Sequence, residues 1–176
     1  MNLPNKLTCL RMAMIPFFVL FVNLPGTPAA IIALVIFIAA SLTDTADGYI
    51  ARKYNLVTDF GKFMDPLADK LLVCSALILF AASGDIPSWI VIIIIAREFI
   101  ISGFRLIAAD NGIVIAASWW GKAKTIAQMV TIVVILLRIE ALKPLQTVLI
   151  YVSLVLTVVS LIDYIMQNKQ VLGSQK

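Results

Sequence analysis

Histidine is absent from this chain, so no imidazole is available as base, nucleophile or metal ligand. Cysteine is scarce. Cys9 and Cys74 are too few for a disulfide framework, and their apolar surroundings read as those of buried thiols. Charge is thin as well: Asp, Glu, Lys and Arg make up 14% of the residues, against about 25% in an average soluble domain. Nothing divides the 176 residues into parts, neither a repeat, a low-complexity tract nor a polar linker, and they read as one domain over 1–176.

What is abundant is apolar sequence. Hydrophobic residues are 61% of the chain and the mean hydropathy is +1.01, which places it in the membrane class. Apolar runs at 8–22, 29–50, 62–82, 87–108, 119–138 and 145–165 approach the ~20 residues a helix needs to cross the hydrocarbon core. They are continuous rather than alternating, which argues against a barrel, and backbone groups in lipid must be paired within their own segment. The expected fold is therefore all-α, with six transmembrane helices. Lys6 and Arg11 before the first run give it a signal-peptide flavour, but five more runs follow, so it is expected to stay as a span. Asn5, Thr8 and Arg11 suggest a short amphipathic N-terminal helix lying at the interface.

Nearly all Lys and Arg residues fall on one side of such a topology. Only Arg138 and Lys143 fall on the other, and the loops "NLPGTP" and "SGDIPS" have none. The positive-inside rule then puts both termini in the cytoplasm. The net charge of +4 is expected to serve those loops and anionic headgroups rather than nucleic acid. Trp89, Trp119 and Trp120 read as interfacial belt residues.

Against this background the stretch "SLTDTADGYIARKYNLVTDFGKFMDPLADK" holds Asp44, Asp47, Asp59, Asp65 and Asp69. At ~100° per residue, Asp44, Asp47, Gly48 and Ala51 share one helical face, and so do Gly61, Asp65 and Asp69. Two helices would each present a pair of carboxylates with a small residue beside it, and small residues admit a ligand or another backbone. Asp65-Pro66 resembles an N-cap followed by Pro at the first helical position. Capping accounts for Asp65 alone, and for Asp59, which lies off the repeating face, but not for four carboxylates and two glycines in register. Facing carboxylates oppose each other's ionisation, and divalent cations resolve that conflict. An all-oxygen set suits Mg²⁺ or Mn²⁺, and the ligand count allows two ions. Such a site polarises phosphoryl oxygens, and Arg52 beside it could fork onto a phosphate.

The pattern D-x2-D-G-x2-A-R-x8-G-x3-D-x3-D, from Asp44 to Asp69, resembles the signature of the CDP-alcohol phosphatidyltransferases without a departure. The resemblance implies six transmembrane helices, a homodimer, and transfer of a phosphatidyl group from CDP-diacylglycerol to an alcohol with release of CMP. It implies Asp44, Asp47 and Asp65 as metal ligands, and Asp69 as the general base that also touches a metal. Gly48, Ala51, Arg52 and Gly61 would form the floor under the cytidine diphosphate, with Asn5 and Thr8 as further nucleotide contacts. The implied location is a bacterial plasma membrane, with the site facing the cytoplasm.

Three further stretches bear on the acceptor alcohol. "MNLPNKLTCLRM", "IAREFIISGFRLI" and "SWWGKAKTIAQMV" resemble the bacterial phosphatidylglycerophosphate synthases of this family, whose acceptor is sn-glycerol 3-phosphate. The residues independently favour an anionic acceptor. Arg97 and Glu98 lie inside an apolar run, where ionisable residues are functional candidates by default. With Arg105, Lys122 and Lys124, Arg97 makes a set of cations able to gather a phosphate, and Glu98 has the spacing to hold Arg105. The bland reading is interfacial snorkelling. Inositol phosphate or serine as acceptor is the nearest alternative. A divalent-cation transporter is the alternative from another class, but its carboxylates belong near the bilayer midplane, and here they cluster at one end of their helices.

Overall fold

The computed structural model describes residues 2–54, 58–110 and 118–168, without the side chains of Thr45, Arg52, Asp59, Phe60, Lys62, Phe63, Ala109 and Asp110. Lys169 and Lys176, counted above among the cytoplasmic cations, lie outside these residues. The described chain is all-helical. Its six long helices are α1 (Leu3–Asn23), α2 (Thr27–Lys53), α3 (Asp59–Ala82), α4 (Ser88–Asp110), α5 (Trp119–Leu136) and α6 (Lys143–Gln167). A short 3₁₀ turn, Glu140–Leu142, precedes α6.

The helix starts follow local chemistry. Asn2 caps α1, its side chain accepting the backbone N–H of Asn5 at 3.1 Å, and Pro4 enters in the first turn. Gly26, at φ 97°, makes the turn into α2, a conformation that costs glycine least. Thr58 caps α3, its hydroxyl accepting the backbone N–H of Gly61 at 3.1 Å. Two expectations change here. Asp65-Pro66 is not a helix start, because Thr58 supplies the cap upstream and Pro66 lies inside α3. Nor is there a separate interfacial helix at the N-terminus: α1 runs unbroken from Leu3 to Asn23, and Asn5, Thr8 and Arg11 are buried on it. Cys9 and Cys74 are half-buried rather than buried.

The helices form two compact units. The first holds α1, α2 and α3 together with residues 135–138. Within it α1 packs on both α2 and α3. Ala30, Ala33 and Ala40 line the buried face of α2, small residues that let α1 approach, and beside them Phe37 meets Phe18 of α1 with ring centroids 5.9 Å apart. Arg138, at φ 51°, donates to the carbonyl of Val22 at 3.1 Å, so a cation sits at the C-terminal end of α1, where the helix dipole favours it.

The second unit holds the described residues of 84–134 and 139–168. Here α4 packs on α6. A ladder of buried polar groups joins α5 to α6: Thr131 Oγ lies 3.0 Å from Ser153 Oγ, and Gln128 donates to Thr157 Oγ at 3.4 Å. Such hydrogen bonds hold helices together where lipid gives no hydrophobic drive.

Outward faces are apolar, with Phe17, Leu20, Val35, Leu42, Ile78, Ile92 and Val155 all exposed. Among the described residues three segments, Leu3–Asn23, Thr27–Ala51 and Glu140–Gln167, are long and apolar enough to cross a membrane. Of the other three helices, α3 carries Asp65, Asp69 and Lys70, α4 carries Arg97, Glu98 and Arg105, and α5 carries Lys122 and Lys124.

Candidate active site

The first unit brings the polar residues of α1 against the aspartates of α2 and α3. Arg11 is the centre of this arrangement. Its side chain is 0% exposed, and its guanidinium spans two carboxylates: Nη1 donates to Asp44 Oδ1 at 2.6 Å and Nη2 to Asp47 Oδ2. The two acceptors lie three residues apart on α2, the spacing that turns both toward the same neighbour. A fork of planar N–H donors matches such a pair as a lysine ammonium cannot.

One turn earlier on α1, Thr8 Oγ donates to Asp65 Oδ1 at 2.5 Å. It also lies 3.1 Å from the carbonyl of Pro4, but a hydroxyl has one hydrogen and the carboxylate is the nearer, charged acceptor. A further turn back, Asn5 Oδ1 accepts from the Thr58 hydroxyl at 2.8 Å. Gly61 closes the group. A Cβ there would stand 3.4 Å from each of Asn5 Oδ1, Asp65 Oδ2 and Thr58 Oγ. Asn5, Thr8 and Arg11, spaced by three, therefore form one polar stripe on α1, facing Asp44, Asp47, Asp65 and Gly61.

The other residues of the pattern hold simpler positions. Asp69 follows Asp65 by one turn on α3 and is half-buried; Gly48 and Ala51 are half-buried on α2. Arg52 and Asp59 lie on α2 and at the first position of α3, and their side chains are outside the described residues. Thr8 takes a part beyond the nucleotide contact that the resemblance implied. It is fully buried and its hydroxyl is engaged by Asp65, so direct contact with a nucleotide would have to displace that bond.

Two features bear on whether these residues suit a divalent cation. The donors are all carboxylate oxygens, the set that Mg²⁺ and Mn²⁺ prefer. Asp47 Oδ1 is buried without a hydrogen-bond partner, as is Arg11 Nε, and a buried carboxylate oxygen left so is costly. Among the described residues no group of three or more acidic side chains is disposed to hold an ion, so the carboxylates would have to turn toward one. The donor chemistry is the kind such an ion takes, but the described carboxylates do not converge on one position.

The second unit splits the expected cation cluster. Arg97 and Lys124 are buried and meet at Glu98: Arg97 Nη1 stands 3.3 Å from Glu98 Oε1, and Lys124 Nζ pairs with the same oxygen. Arg97 Nε also donates to Ser160 Oγ on α6 at 3.2 Å. Arg105 and Lys122 are exposed, and Arg105 lies over the Tyr164 ring, 6.0 Å from its centroid. The final helix, read from sequence as a generic span, thus supplies partners to both arginines.

Sequence reasoning missed three of these contacts: Arg11 as the bridge between Asp44 and Asp47, Thr58 as the cap beside Asn5, and Ser160 as a partner of Arg97. A signal for the first was present. An arginine on an apolar helix has to find an acid, and the stripe at positions 5, 8 and 11 pointed to one face.

The chain is similar to known proteins over nearly its whole length. The family model for CDP-alcohol phosphatidyltransferase matches residues 1–159. A CDP-diacylglycerol–glycerol-3-phosphate 3-phosphatidyltransferase of Bacillus subtilis (strain 168) is 44% identical, with 97% of each chain covered. The enzyme of the same name from Haemophilus influenzae is 41% identical over 96% of this chain and 94% of its own. A probable phosphatidylglycerophosphate synthase of Mycobacterium tuberculosis (strain ATCC 25618 / H37Rv) is 39% identical over 98% of this chain and 84% of its own. With the family model matched over most of its length, and with the aspartates of α2 and α3 gathered on the polar face of α1, the chain belongs to the CDP-alcohol phosphatidyltransferase family.

Proposed function

We propose that this chain transfers the phosphatidyl group of CDP-diacylglycerol to sn-glycerol 3-phosphate, giving phosphatidylglycerophosphate and CMP in phospholipid synthesis. The observation that carries the reading is the juxtaposition of Asp44, Asp47 and Asp65 with Arg11, Thr8 and Gly61 in a chain 44% identical to an enzyme of that name. Asp69 is the general base. It accepts the proton of the acceptor hydroxyl as that oxygen bonds to the β-phosphorus; the bond from phosphorus to the bridging oxygen breaks, and its electron pair leaves on CMP. With no histidine in the chain, a carboxylate is the natural base. Gly48, Ala51 and Gly61 leave room for the diphosphate, and Asn5, Thr8 and Arg52 border it. Mg²⁺ or Mn²⁺, as one or two ions on Asp44, Asp47, Asp65 and Asp69, would neutralise the diphosphate and the charge on departing CMP.

Arg97, Arg105, Lys122 and Lys124 receive the phosphate of the acceptor. What supports this reading is the cationic character of the four residues; Arg97 and Lys124 are paired with Glu98, so the acceptor phosphate would have to share or displace that carboxylate. The same reading has six spanning helices, with both termini and the aspartates on the cytoplasmic side of a bacterial plasma membrane, and a homodimer as the working unit. The one-sided distribution of Lys and Arg supports the topology. An acceptor competition tests the substrate. Glycerol 3-phosphate should drive CMP release from CDP-diacylglycerol where inositol phosphate and serine do not; release driven by either of those instead would remove the acceptor assignment.

A further inference from the structure

The guanidinium of Arg97 is tied to two groups of different kinds. Nη1 stands 3.3 Å from Glu98 Oε1, an acid that also pairs with Lys124. Nε donates to Ser160 Oγ on α6 at 3.2 Å. Nη2 lies against the first turn of α5, 3.6 Å from where a Cβ on Gly121 would stand. That turn is capped by Ser118, whose hydroxyl accepts the Gly121 N–H at 3.1 Å. Arg97 thus reaches from α4 to both neighbouring helices of its unit, and it is 7% exposed.

The two ties respond differently to an incoming anion. A phosphate at Arg97 has to share or displace the Glu98 carboxylate, because both are anions drawn to one cation. A guanidinium on a long, flexible side chain, held by Glu98 alone, would lose its bearing as that carboxylate gives way. Ser160 carries no charge, so it neither competes with the phosphate nor cancels the cation. Its own orientation is fixed as well. The hydroxyl donates to the Thr157 carbonyl at 3.0 Å, which leaves its lone pairs to accept the Nε–H of Arg97. Ser160 and Thr157 are both 0% exposed, so water does not compete for these bonds. We propose that Ser160 is a positioning residue for the acceptor: it holds Arg97 by Nε and leaves the Nη edge, the part of the fork that fits phosphate oxygens, to the phosphate of glycerol 3-phosphate. The proposal rests on the assignment of Arg97 to that phosphate. It extends the acceptor site to α6, a helix whose sequence reads only as a generic span.

The test is the rate of CMP release by the full chain in nanodiscs, taken against glycerol 3-phosphate and, separately, against CDP-diacylglycerol. Ser160→Ala removes one hydroxyl and leaves every charge in place. It should raise the KM for glycerol 3-phosphate roughly tenfold, the scale of a hydrogen bond to a charged group. The KM for CDP-diacylglycerol, and kcat at saturating acceptor, should move far less. Arg97→Gln should raise the KM for glycerol 3-phosphate too, and Ser160→Ala added to it should raise that KM no further, because the serine acts through the guanidinium. Arg97→Lys, which keeps the charge and loses the fork, takes its place should the neutral variant not fold. An unchanged KM for glycerol 3-phosphate in Ser160→Ala would overturn the proposal. So would an equal rise for both substrates, which marks a general packing defect, and so would an undiminished further rise in the double variant. A KM for glycerol 3-phosphate unmoved by Arg97→Gln and Arg97→Lys alike would instead remove Arg97 from the acceptor site, and with it the reading beneath the proposal.

Discussion

Glu98→Gln keeps the shape of the side chain and removes its charge. In the folded chain the Glu98 side chain is 12% exposed, and it faces two cations more buried still, Arg97 at 9% and Lys124 at 3%. The substitution therefore takes away an acid that both cations share, in surroundings where water does little to replace it. Breaking a buried pair by removing one partner costs about 3–5 kcal/mol. Arg97 keeps its bond to Ser160 at 3.2 Å, and the new amide oxygen still accepts a hydrogen bond, so the lower end applies. A loss of about 3 kcal/mol corresponds to a melting temperature lower by roughly 6–12 °C for a chain of this size. Thermal unfolding in detergent is the assay, with Glu98→Gln/Lys124→Met as its partner. Removing the second charge should return part of the loss, since the remaining cation, Arg97, has Ser160. Inorganic phosphate should also raise the melting temperature of Glu98→Gln more than that of wild type, because an anion then occupies the place of the carboxylate. A loss below 1 kcal/mol, or a double variant no better than the single one, would refute the reasoning.

Three further outcomes are expected. Gly61→Ala should fold, since its Cβ would meet neighbours at 3.4 Å, but should weaken CDP-diacylglycerol binding, read as a raised KM, because the methyl covers Asp65 Oδ2. Ser153→Ala removes the 3.0 Å contact with Thr131 between α5 and α6 and should cost about 0.6 kcal/mol and at most about 1.7; equilibrium unfolding checks it. Arg105→Ala should raise the KM for glycerol 3-phosphate with little change in the KM for CDP-diacylglycerol, as Arg105 is exposed and its described contact is the Tyr164 ring.

Much of this architecture is legible in the sequence. The apolar run at 29–50 lies inside α2 and that at 87–108 overlaps α4 from Ser88 on, because continuous hydrophobic sequence in a membrane chain leaves the backbone no alternative to a helix. The faces shared by Asp44 with Asp47 and by Gly61 with Asp65 followed from helical periodicity alone. Periodicity stops at the edge of each helix, however. It says which residues share a face and nothing about what that face meets. Periodicity alone therefore makes Arg11 an interfacial cation, where its partners are Asp44 and Asp47, and spacing offers Glu98 to Arg105, where Arg97 and Lys124 are the cations it holds. The Asp65-Pro66 pair shows a related limit. Its cap chemistry is real in isolation, but Thr58 starts the helix earlier, which leaves Asp65 on the inner face of α3 and within reach of Thr8.

Phosphatidyl transfer by the aspartates of α2 and α3, with Asp69 as the proposed base, is read from CMP release from CDP-diacylglycerol, with glycerol 3-phosphate and Mg²⁺ or Mn²⁺, by purified wild type and Asp69→Asn side by side. Wild type should release CMP in step with phosphatidylglycerophosphate, and Asp69→Asn should bind CDP-diacylglycerol but release none. Undiminished CMP release by Asp69→Asn, or none by wild type with this acceptor, would contradict the account.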